Sequence, residues 1–189
     1  VQMGSLAVIA EALGRYNEGA MWRRRAGAMV ARMIEHFWDE QAGLFWVIKD
    51  HKPVKVVTPF NLYPLWTGQL PDDIRGRLLD HLKDPAMFHG AYMLPTVARN
   101  DPHFSPGTMW RGPVWANINY FFIEALRQVD EHEMADELSE CTLEMIMAHK
   151  GIYEYYHAET GEPPATAVST FGWTAAVFID LAIQNSSDQ

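Results

Sequence analysis

Cysteine and positive charge are both scarce in this 189-residue chain. The one cysteine, Cys141, excludes an intramolecular disulfide, and its helical spacing from Leu138 and Met145 predicts a small core residue rather than a reactive thiol. Only 15 Lys and Arg residues stand against 24 Asp and Glu residues, a formal net charge of −9. Such a balance argues against nucleic acid as a partner, because its phosphates repel an acidic surface.

Long apolar runs and metal-ligand clusters are missing as well. The longest uncharged stretch, Pro163 to Ile179, is shorter than a membrane span and is interrupted by polar and helix-breaking residues. No basic segment followed by an apolar one opens the chain, so we expect neither membrane association nor secretion, and a cytoplasmic location. His132 lies among acidic residues without a second histidine at ligand spacing. We therefore expect no metal and no cofactor.

Aromatic residues, in contrast, are abundant. They make up 12% of the chain, including 7 Trp, while the hydrophobic share of 48% is ordinary for one folded domain. Aromatic residues in excess of what a core needs often line clefts for sugars or apolar ligands. The composition thus favours a folded, ligand-binding domain.

Helical periodicity dominates the first part of the chain. Two apolar stripes predict an N-terminal helical hairpin, with Leu6, Ile9, Ala10 and Leu13 in the first helix and Trp22, Ala26, Met29, Val30, Met33 and Phe37 in the second. Short extended runs are expected between Asp39 and Thr58, and a short helix from Asn61 to Trp66. A helix opening at Pro71 and a long, proline-rich loop up to Met109 follow.

The second part predicts three further helices. One starts at Gly112-Pro113, with Pro at its first position, and reaches Val129; the next runs from Asp130 to His149. The last, Thr170 to Ile183, is apolar almost all round, so burial on several sides is expected. The fold class is therefore all-α: a single domain over residues 1–189, with helical hairpins in a toroid and a few short strands in the loops.

Two segments carry residues suited to chemistry. In the first, Trp110-Arg111-Gly112-Pro113-Val114-Trp115 followed by Asn117, planar rings can stack on sugar faces while Arg111 and Asn117 offer donors to hydroxyls. Asn119 lies on another face of the same helix, so we expect it to be structural. In the second segment, Glu154 stands among three tyrosines, Tyr155 included, where a carboxylate can act as a base toward a held water.

Both segments, together with Phe171-Gly172-Trp173, resemble the C-terminal part of glycoside hydrolase family 63 and its mannosylglycerate-hydrolase-like members; family 37 trehalases are more distantly similar. The resemblance covers nearly the whole chain and implies about half of an (α/α)6 barrel. It also implies cleavage of α-glucosides or α-mannosides with inversion. By this resemblance Glu154 is the general base, and the sugar pocket includes Trp110, Arg111, Trp115, Asn117 and Trp173. Tyr155, next to Glu154, is expected in the wall of the same site.

The chain departs from the family pattern in two places. The resemblance puts the general acid, an Asp, upstream of Val1, so the N-terminal half of the barrel is expected to be missing and the chain alone to be inactive. Self-association, or docking with that missing half, is expected to cover the inner helix faces. Near the base, Pro163 to Thr166 replaces glycines of the relatives. If a proton donor lay within the chain, Asp101 would be the first candidate.

Other interpretations remain open. The chain could be a non-catalytic half-barrel that binds carbohydrate or serves as a docking surface, or a sugar epimerase, which would need a pair of catalytic histidines. Trp110 to Trp115 could be apolar packing at a helix start, with Arg111 reaching into solvent. Glu154 could be an ordinary surface carboxylate, and Trp173 a core residue.

Overall fold

The computed structural model describes residues 1–187 and is all-α, as the periodicity predicts. The helices are α1 (Gln2–Ala12), α2 (Tyr16–Phe37), a 3₁₀ helix (Pro59–Thr67), α3 (Asp72–Lys83), α4 (Ala116–Gln128), α5 (His132–Met147) and α6 (Gly172–Ser187). Two short antiparallel hairpins join α2 to the 3₁₀ helix, β1 (Trp38–Asp39) with β2 (Leu44–Phe45) and β3 (Ile48–Lys49) with β4 (Lys52–Pro53).

Local signals explain where several elements begin and end. Thr58 and Asn61 form a reciprocal capping box at the start of the 3₁₀ helix, which ends at Gly68 in the left-handed conformation with φ 62°. Pro71 precedes α3, whose first turn carries Asp72 and Asp73, the charges that the N-terminal end of the helix dipole favours. The predicted short helix and the helix after Pro71 are thereby confirmed.

Helix α4 lies at the centre of the fold. It packs against the 3₁₀ helix, α5 and α6, and Phe122, Ile123 and Leu126 on its inner face are buried. Cys141 on α5 packs half-buried against this core, and burial, followed by repulsion from Glu137, raises the pKa of its thiol. The interpretation of Cys141 as a core residue is confirmed.

The predicted start of α4 at Pro113 is wrong. The helix begins at Ala116, because Val114 instead pairs with both Pro95 and Tyr156 in antiparallel bridges. The last helix likewise begins at Gly172 rather than Thr170, which lies outside the helix with φ 63°. In both cases, residues that could have formed a first helical turn are taken up by long-range contacts.

Two helices at opposite ends of the chain expose apolar faces. In α1 only Ala7 and Ala10 are buried, whereas Leu6, Val8, Ile9 and Leu13, which we call the α1 edge, are exposed. In α6 Val177 and Leu181 are buried, whereas Trp173, Ile179 and Ile183, the α6 edge, are exposed. The expected burial of α6 on several sides is therefore wrong for this chain, since its described residues cover one side only. Met29 and Phe37 of the α2 stripe are exposed too.

Within residues 1–187, no helix has both the length and the apolar character that crossing a membrane requires.

Candidate functional site

Three extended segments meet at the start of α4. The Val114 N–H donates to the Tyr156 carbonyl at 2.8 Å and the Tyr156 N–H donates back to Val114 at 3.0 Å, while the Thr96 N–H donates to the Pro113 carbonyl at 3.1 Å. These bonds place the segment that carries Glu154 beside the segment that carries the two motif tryptophans. The helices α4 and α5 run out and back between the two segments, which returns the chain to the same end of the fold.

An aromatic wall stands on this junction; we use the term for Trp110, Trp115, Tyr155, Phe171 and Trp173. Trp110 stacks on Trp115 with centroids 3.9 Å apart and planes 15° apart, and Trp115 stacks on Tyr155 at 5.2 Å. Phe171 meets Trp115 edge-on at 6.3 Å and Trp173 at 5.6 Å. Four of the predicted site residues therefore lie in one connected group of rings.

Exposure differs sharply along the wall. Trp115 is 2% exposed and belongs to the core, whereas Trp110 is 42% and Trp173 58% exposed. Trp115 thus supports Trp110 from behind, and the rings at the two ends present their surface to solvent. The interpretation of Trp173 as a core residue is wrong, and the core-packing interpretation holds for Trp115 but not for Trp110.

Glu154 is held by its backbone and free at its carboxylate. Its N–H donates to the Val168 carbonyl at 2.9 Å, and the adjacent Tyr155 hydroxyl lies 2.7 Å from Thr166 Oγ1. Residues 163–170 thereby fix the backbone position of Glu154. Glu154 is half-buried as a residue, and its carboxylate has no hydrogen bond or ion pair with any residue that the structure describes, so it is available to a ligand or a water.

The two predicted donors are also unpaired in the described part of the chain. The Arg111 side chain is exposed and its guanidinium makes no hydrogen bond there; its backbone is fixed by the Thr108 and Ser105 main chain. Asn117 lies half-buried in the first turn of α4, and its amide has no partner among residues 1–187. A wall of rings, a free carboxylate and unpaired donors are the groups that recognition of sugar hydroxyls requires.

Unusual backbone conformations gather at the same place. Leu94, Trp110 and Thr170 have φ of 58°, 58° and 63°, a conformation that costs bulky or β-branched residues about 1–3 kcal/mol each and persists only where the surrounding contacts enforce it. Two glycines permit the close packing. A Cβ on Gly112 would lie 2.5 Å from the Ser105 carbonyl oxygen, and one on Gly161 would lie 2.3 Å from the Tyr92 ring. Both motifs therefore need glycine at these positions, because any side chain there would collide with a neighbouring residue.

Sequence reasoning missed the polar contacts that hold the wall. The Thr96 hydroxyl accepts a hydrogen bond from the Gly112 N–H at 3.1 Å and donates to the Pro113 carbonyl at 3.0 Å. The Thr166 hydroxyl and the Tyr155 hydroxyl share one hydrogen bond, in which either can donate. Neither threonine stands out in the sequence, because Thr96 lies in a proline-rich loop and Thr166 in the segment that departs from the relatives.

Asp101 fixes the loop before the wall through the contacts of its carboxylate. Its carboxylate accepts hydrogen bonds from the Val57 N–H and the His103 N–H, each at 2.8 Å, and lies 2.8 Å from His103 Nδ1. Burial raises the pKa of this carboxyl, but these bonds and the nearby imidazole outweigh burial and lower it. These contacts favour the ionised carboxylate, which is the form that accepts the hydrogen bonds holding the loop.

Replacing Asp101 by asparagine is therefore expected to reduce the free energy of unfolding by about 2 kcal/mol at about pH 7. Because the folded-state pKa is lowered, the stabilisation is present above the ordinary pKa and is lost as the pH falls through the folded value. Urea unfolding of both proteins at about pH 7 and about pH 3 measures this, and the difference between them should shrink in acid. The exposed Asp136→Asn is the control, with an expected change below about 0.5 kcal/mol.

An all-α chain whose extended segments bring the backbones of Trp110, Arg111 and Glu154 to the start of a central helix has the architecture of a helical toroid. The chain belongs to the mannosylglycerate hydrolase MGH1-like glycoside hydrolase domain family, whose model matches residues 2–174. The resemblance to glycoside hydrolase family 63 is thereby confirmed.

Individual relatives agree with this assignment. The chain is 33% identical over 146 residues to a mannosylglycerate hydrolase of Thermus thermophilus, covering 76% of this chain and 34% of the relative. It is 32% identical over 133 residues to a probable mannosyl-oligosaccharide glucosidase of Schizosaccharomyces pombe, covering 66% of this chain and 16% of that relative. The crystal structure of a family 63 mannosylglycerate hydrolase from Thermus thermophilus with glucose superposes with a TM-score of 0.74 at 25% identity, covering 93% of this chain and 40% of that one. The chain thus spans about a third of its first relative.

Proposed function

We propose that this chain supplies the general base and part of the sugar-binding wall of an inverting α-glycosidase that acts on α-glucosides or α-mannosides. The observation that supports this most is the free carboxylate of Glu154, fixed by its backbone next to the aromatic wall. Trp110 and Trp173 offer ring faces to the sugar, and Arg111 and Asn117 donate to its hydroxyls.

In this mechanism Glu154 accepts a proton from a water as the water oxygen attacks the anomeric carbon. A second carboxylic acid, on the opposite side of the sugar, protonates the departing glycosidic oxygen, and the two carboxyls stand roughly 6.5–9.5 Å apart. The family resemblance assigns the acid to a part of the fold outside this chain. Alone, the chain is therefore proposed to bind sugar without hydrolysing it.

The partner we propose is the remainder of the toroid. The relatives are much longer than this chain, and the α1 edge and the α6 edge lie on the first and last helices, where a ring would continue. Two adjoining grooves of about 460 and 450 Å³ lie between α1, α2 and the end of the 3₁₀ helix. Helix α1 therefore packs against α2 but leaves space between itself and the 3₁₀ helix. Helices with apolar faces would fill these positions.

A second candidate function is a carbohydrate-binding module without catalysis. It is favoured by the exposure of Trp110, which gives a sugar access to the wall without any further part of a toroid. Co-expression of this chain with the N-terminal part of a relative distinguishes a half-enzyme from a non-catalytic binding module. The chain, combined with the N-terminal part of the Thermus thermophilus relative, should hydrolyse mannosylglycerate if it is half of an enzyme. A reconstituted, folded complex that binds sugar and does not hydrolyse it would favour the module.

Sugar binding by the wall has its own test. Trp110→Ala is expected to weaken binding of methyl α-mannoside or methyl α-glucoside roughly three- to tenfold, because one stacking face is lost. Isothermal titration calorimetry on the 189-residue chain measures the affinity. Trp22→Ala, on α2 and outside the aromatic wall, is the matched control and should bind as the unmodified chain does. Equal affinities for all three proteins would remove Trp110 from the site.

A further inference from the structure

His149 ties the turn that follows Glu154 to the end of α5. The histidine lies two residues beyond Met147, where α5 ends, and only 14% of its side chain is exposed. Its ring nitrogen Nε2 lies 2.9 Å from the carbonyl oxygen of Gly161. Because a carbonyl oxygen accepts and cannot donate, Nε2 carries the proton and is the donor of this hydrogen bond. His149 belongs neither to the aromatic wall nor to the sugar-binding groups described above.

The same imidazole packs against two tyrosines that flank Glu154. It stacks on Tyr156 with centroids 5.7 Å and planes 27° apart, and it meets Tyr153 edge-on at 6.2 Å. The two tyrosines also meet each other edge-on at 6.4 Å, and Tyr156 is fully buried. We call His149, Tyr153 and Tyr156 the histidine cluster. Since Glu154 lies between the two tyrosines in the sequence, this cluster contacts the chain on both sides of it.

The histidine cluster also acts on the backbone next to Glu154. The Tyr153 N–H donates to the Tyr156 hydroxyl at 3.2 Å, so the Tyr156 ring fixes the residue that precedes Glu154. The backbone of Tyr156 is itself fixed by its two hydrogen bonds with Val114. Because His149 packs on the Tyr156 ring, it holds one end of the short stretch that carries the carboxylate.

The hydrogen bond from His149 to Gly161 fixes the turn at the other end of this stretch. The Gly161 N–H donates to the His157 carbonyl and the His157 N–H donates to the Glu162 carbonyl, each at 2.9 Å, so the turn is closed by its own backbone. The Tyr92 ring packs against the same glycine, since a Cβ there would lie 2.3 Å from this ring. His149 and Tyr92 therefore both hold the closed turn in place.

We propose that His149 is a positioning residue for Glu154, whose carboxylate it orients through the histidine cluster and the turn at Gly161. The Glu154 carboxylate has no hydrogen bond or ion pair within residues 1–187, so its direction depends on its backbone. A general base has to lie within hydrogen-bond distance of the water it deprotonates, and a displacement of about 1 Å costs about 10²-fold in rate. This role rests on the function proposed above, in which Glu154 is the base.

Amide hydrogen exchange on the 189-residue chain tests the positioning without any sugar. The Glu154 N–H, which donates to the Val168 carbonyl, should exchange about tenfold faster in His149→Leu. Leucine neither stacks on a tyrosine nor donates to Gly161, so the segment opens more often. In His149→Gln, whose amide nitrogen reaches the position of Nε2, the exchange should stay within about threefold of that in the unmodified chain.

His81→Leu is the matched control. His81 Nε2 lies 3.1 Å from the Ala42 carbonyl oxygen, so this substitution also removes one hydrogen bond from an imidazole to the backbone, but on α3. The Glu154 amide should exchange there as it does in the unmodified chain. Equal acceleration in His149→Leu and His81→Leu would show a general loss of stability and overturn the proposal.

The complex reconstituted with the N-terminal part of the Thermus thermophilus relative tests the consequence for catalysis. His149→Leu should lower kcat by about ten- to hundredfold and leave KM within about threefold, because the aromatic wall and the sugar donors are untouched. His149→Gln should restore most of kcat through its amide N–H. His81→Leu should leave both constants unchanged.

Unchanged exchange of the Glu154 amide in His149→Leu overturns the proposal whether or not the complex hydrolyses sugar. A higher KM with an unchanged kcat overturns it too. Should His149→Leu not fold, His149→Asn takes its place, since the shorter amide does not reach Gly161; exchange and kcat equal to those of His149→Gln would then overturn the proposal. Absence of hydrolysis in the unmodified complex contradicts the proposed function instead, and the exchange measurement still decides whether His149 holds Glu154.

Discussion

Replacing Glu154 by glutamine is expected to lower hydrolysis by the completed toroid by about 10²- to 10⁴-fold, the usual contribution of a general base. Glutamine keeps the shape of the side chain and the Glu154 backbone contact with Val168, but it cannot accept a proton from water. Sugar affinity should change little, since the wall is untouched. Steady-state rates and calorimetric affinities of the reconstituted protein measure the two effects separately.

The control for this variant is Glu159→Gln, which removes an exposed carboxylate from the neighbouring turn of the same segment. It should retain the hydrolysis rate. Should Glu154→Gln hydrolyse mannosylglycerate within a few-fold of the unmodified protein, the carboxylate is the ordinary surface group that the sequence alone also allows.

Self-association of the isolated chain is the second large effect we expect. The α1 edge and the α6 edge each place several large apolar side chains in water, at Leu13 with 66% and Ile183 with 59% exposure among others. Monomers rarely leave contiguous apolar patches of more than a few hundred Å² uncovered. Light scattering at micromolar concentration should therefore show dimers or larger species, and a hydrophobic dye should bind.

Charged substitutions identify the surfaces involved. Ile9→Glu combined with Ile183→Glu should shift the protein toward monomer and also prevent reconstitution with the N-terminal part of a relative. Ile48→Glu, on the exposed β3 strand and outside both edges, is the matched control and should do neither. A monomer without dye binding would show that the exposed edges need no cover, and the docking proposal would then fail.

The helices could be predicted from the sequence because apolar residues recur at helical spacing, and α2, α3, α4 and α5 follow that spacing closely. What fails is the boundary at Pro113. Proline at a first helical position is a sound local signal, yet the pairing of Val114 with Tyr156 keeps this stretch extended. A local sequence signal cannot predict this pairing, because the two residues are far apart in the chain.

The exposed apolar faces show a second limit of prediction from sequence, which concerns burial. Periodicity shows that Leu6, Ile9 and Leu13 share a side of α1, but it does not show whether anything covers that side. In this chain nothing among the described residues covers it, so these three side chains are exposed. Which residues form a core depends on the whole assembly and not on one helix.

The candidate site was predicted as far as chemistry of single residues allows. Planar rings suit sugars, so the sequence points to Trp110 and Trp115, and the structure stacks both with Tyr155 in one group. The hydroxyls of Thr96 and Thr166 that hold the group were not foreseen. Threonines are common in loops, and only the folded path reveals which of them meet a backbone or a tyrosine.

The most direct test of Glu154 as the base of an inverting glycosidase is azide rescue of Glu154→Ala in the reconstituted protein. Removing the carboxylate leaves space on the side from which water attacks, and the azide anion needs no base. Nuclear magnetic resonance of the product from an aryl α-glycoside should show a β-configured glycosyl azide. A glycosyl azide of α configuration, or hydrolysis at the unmodified rate without azide, would contradict the account.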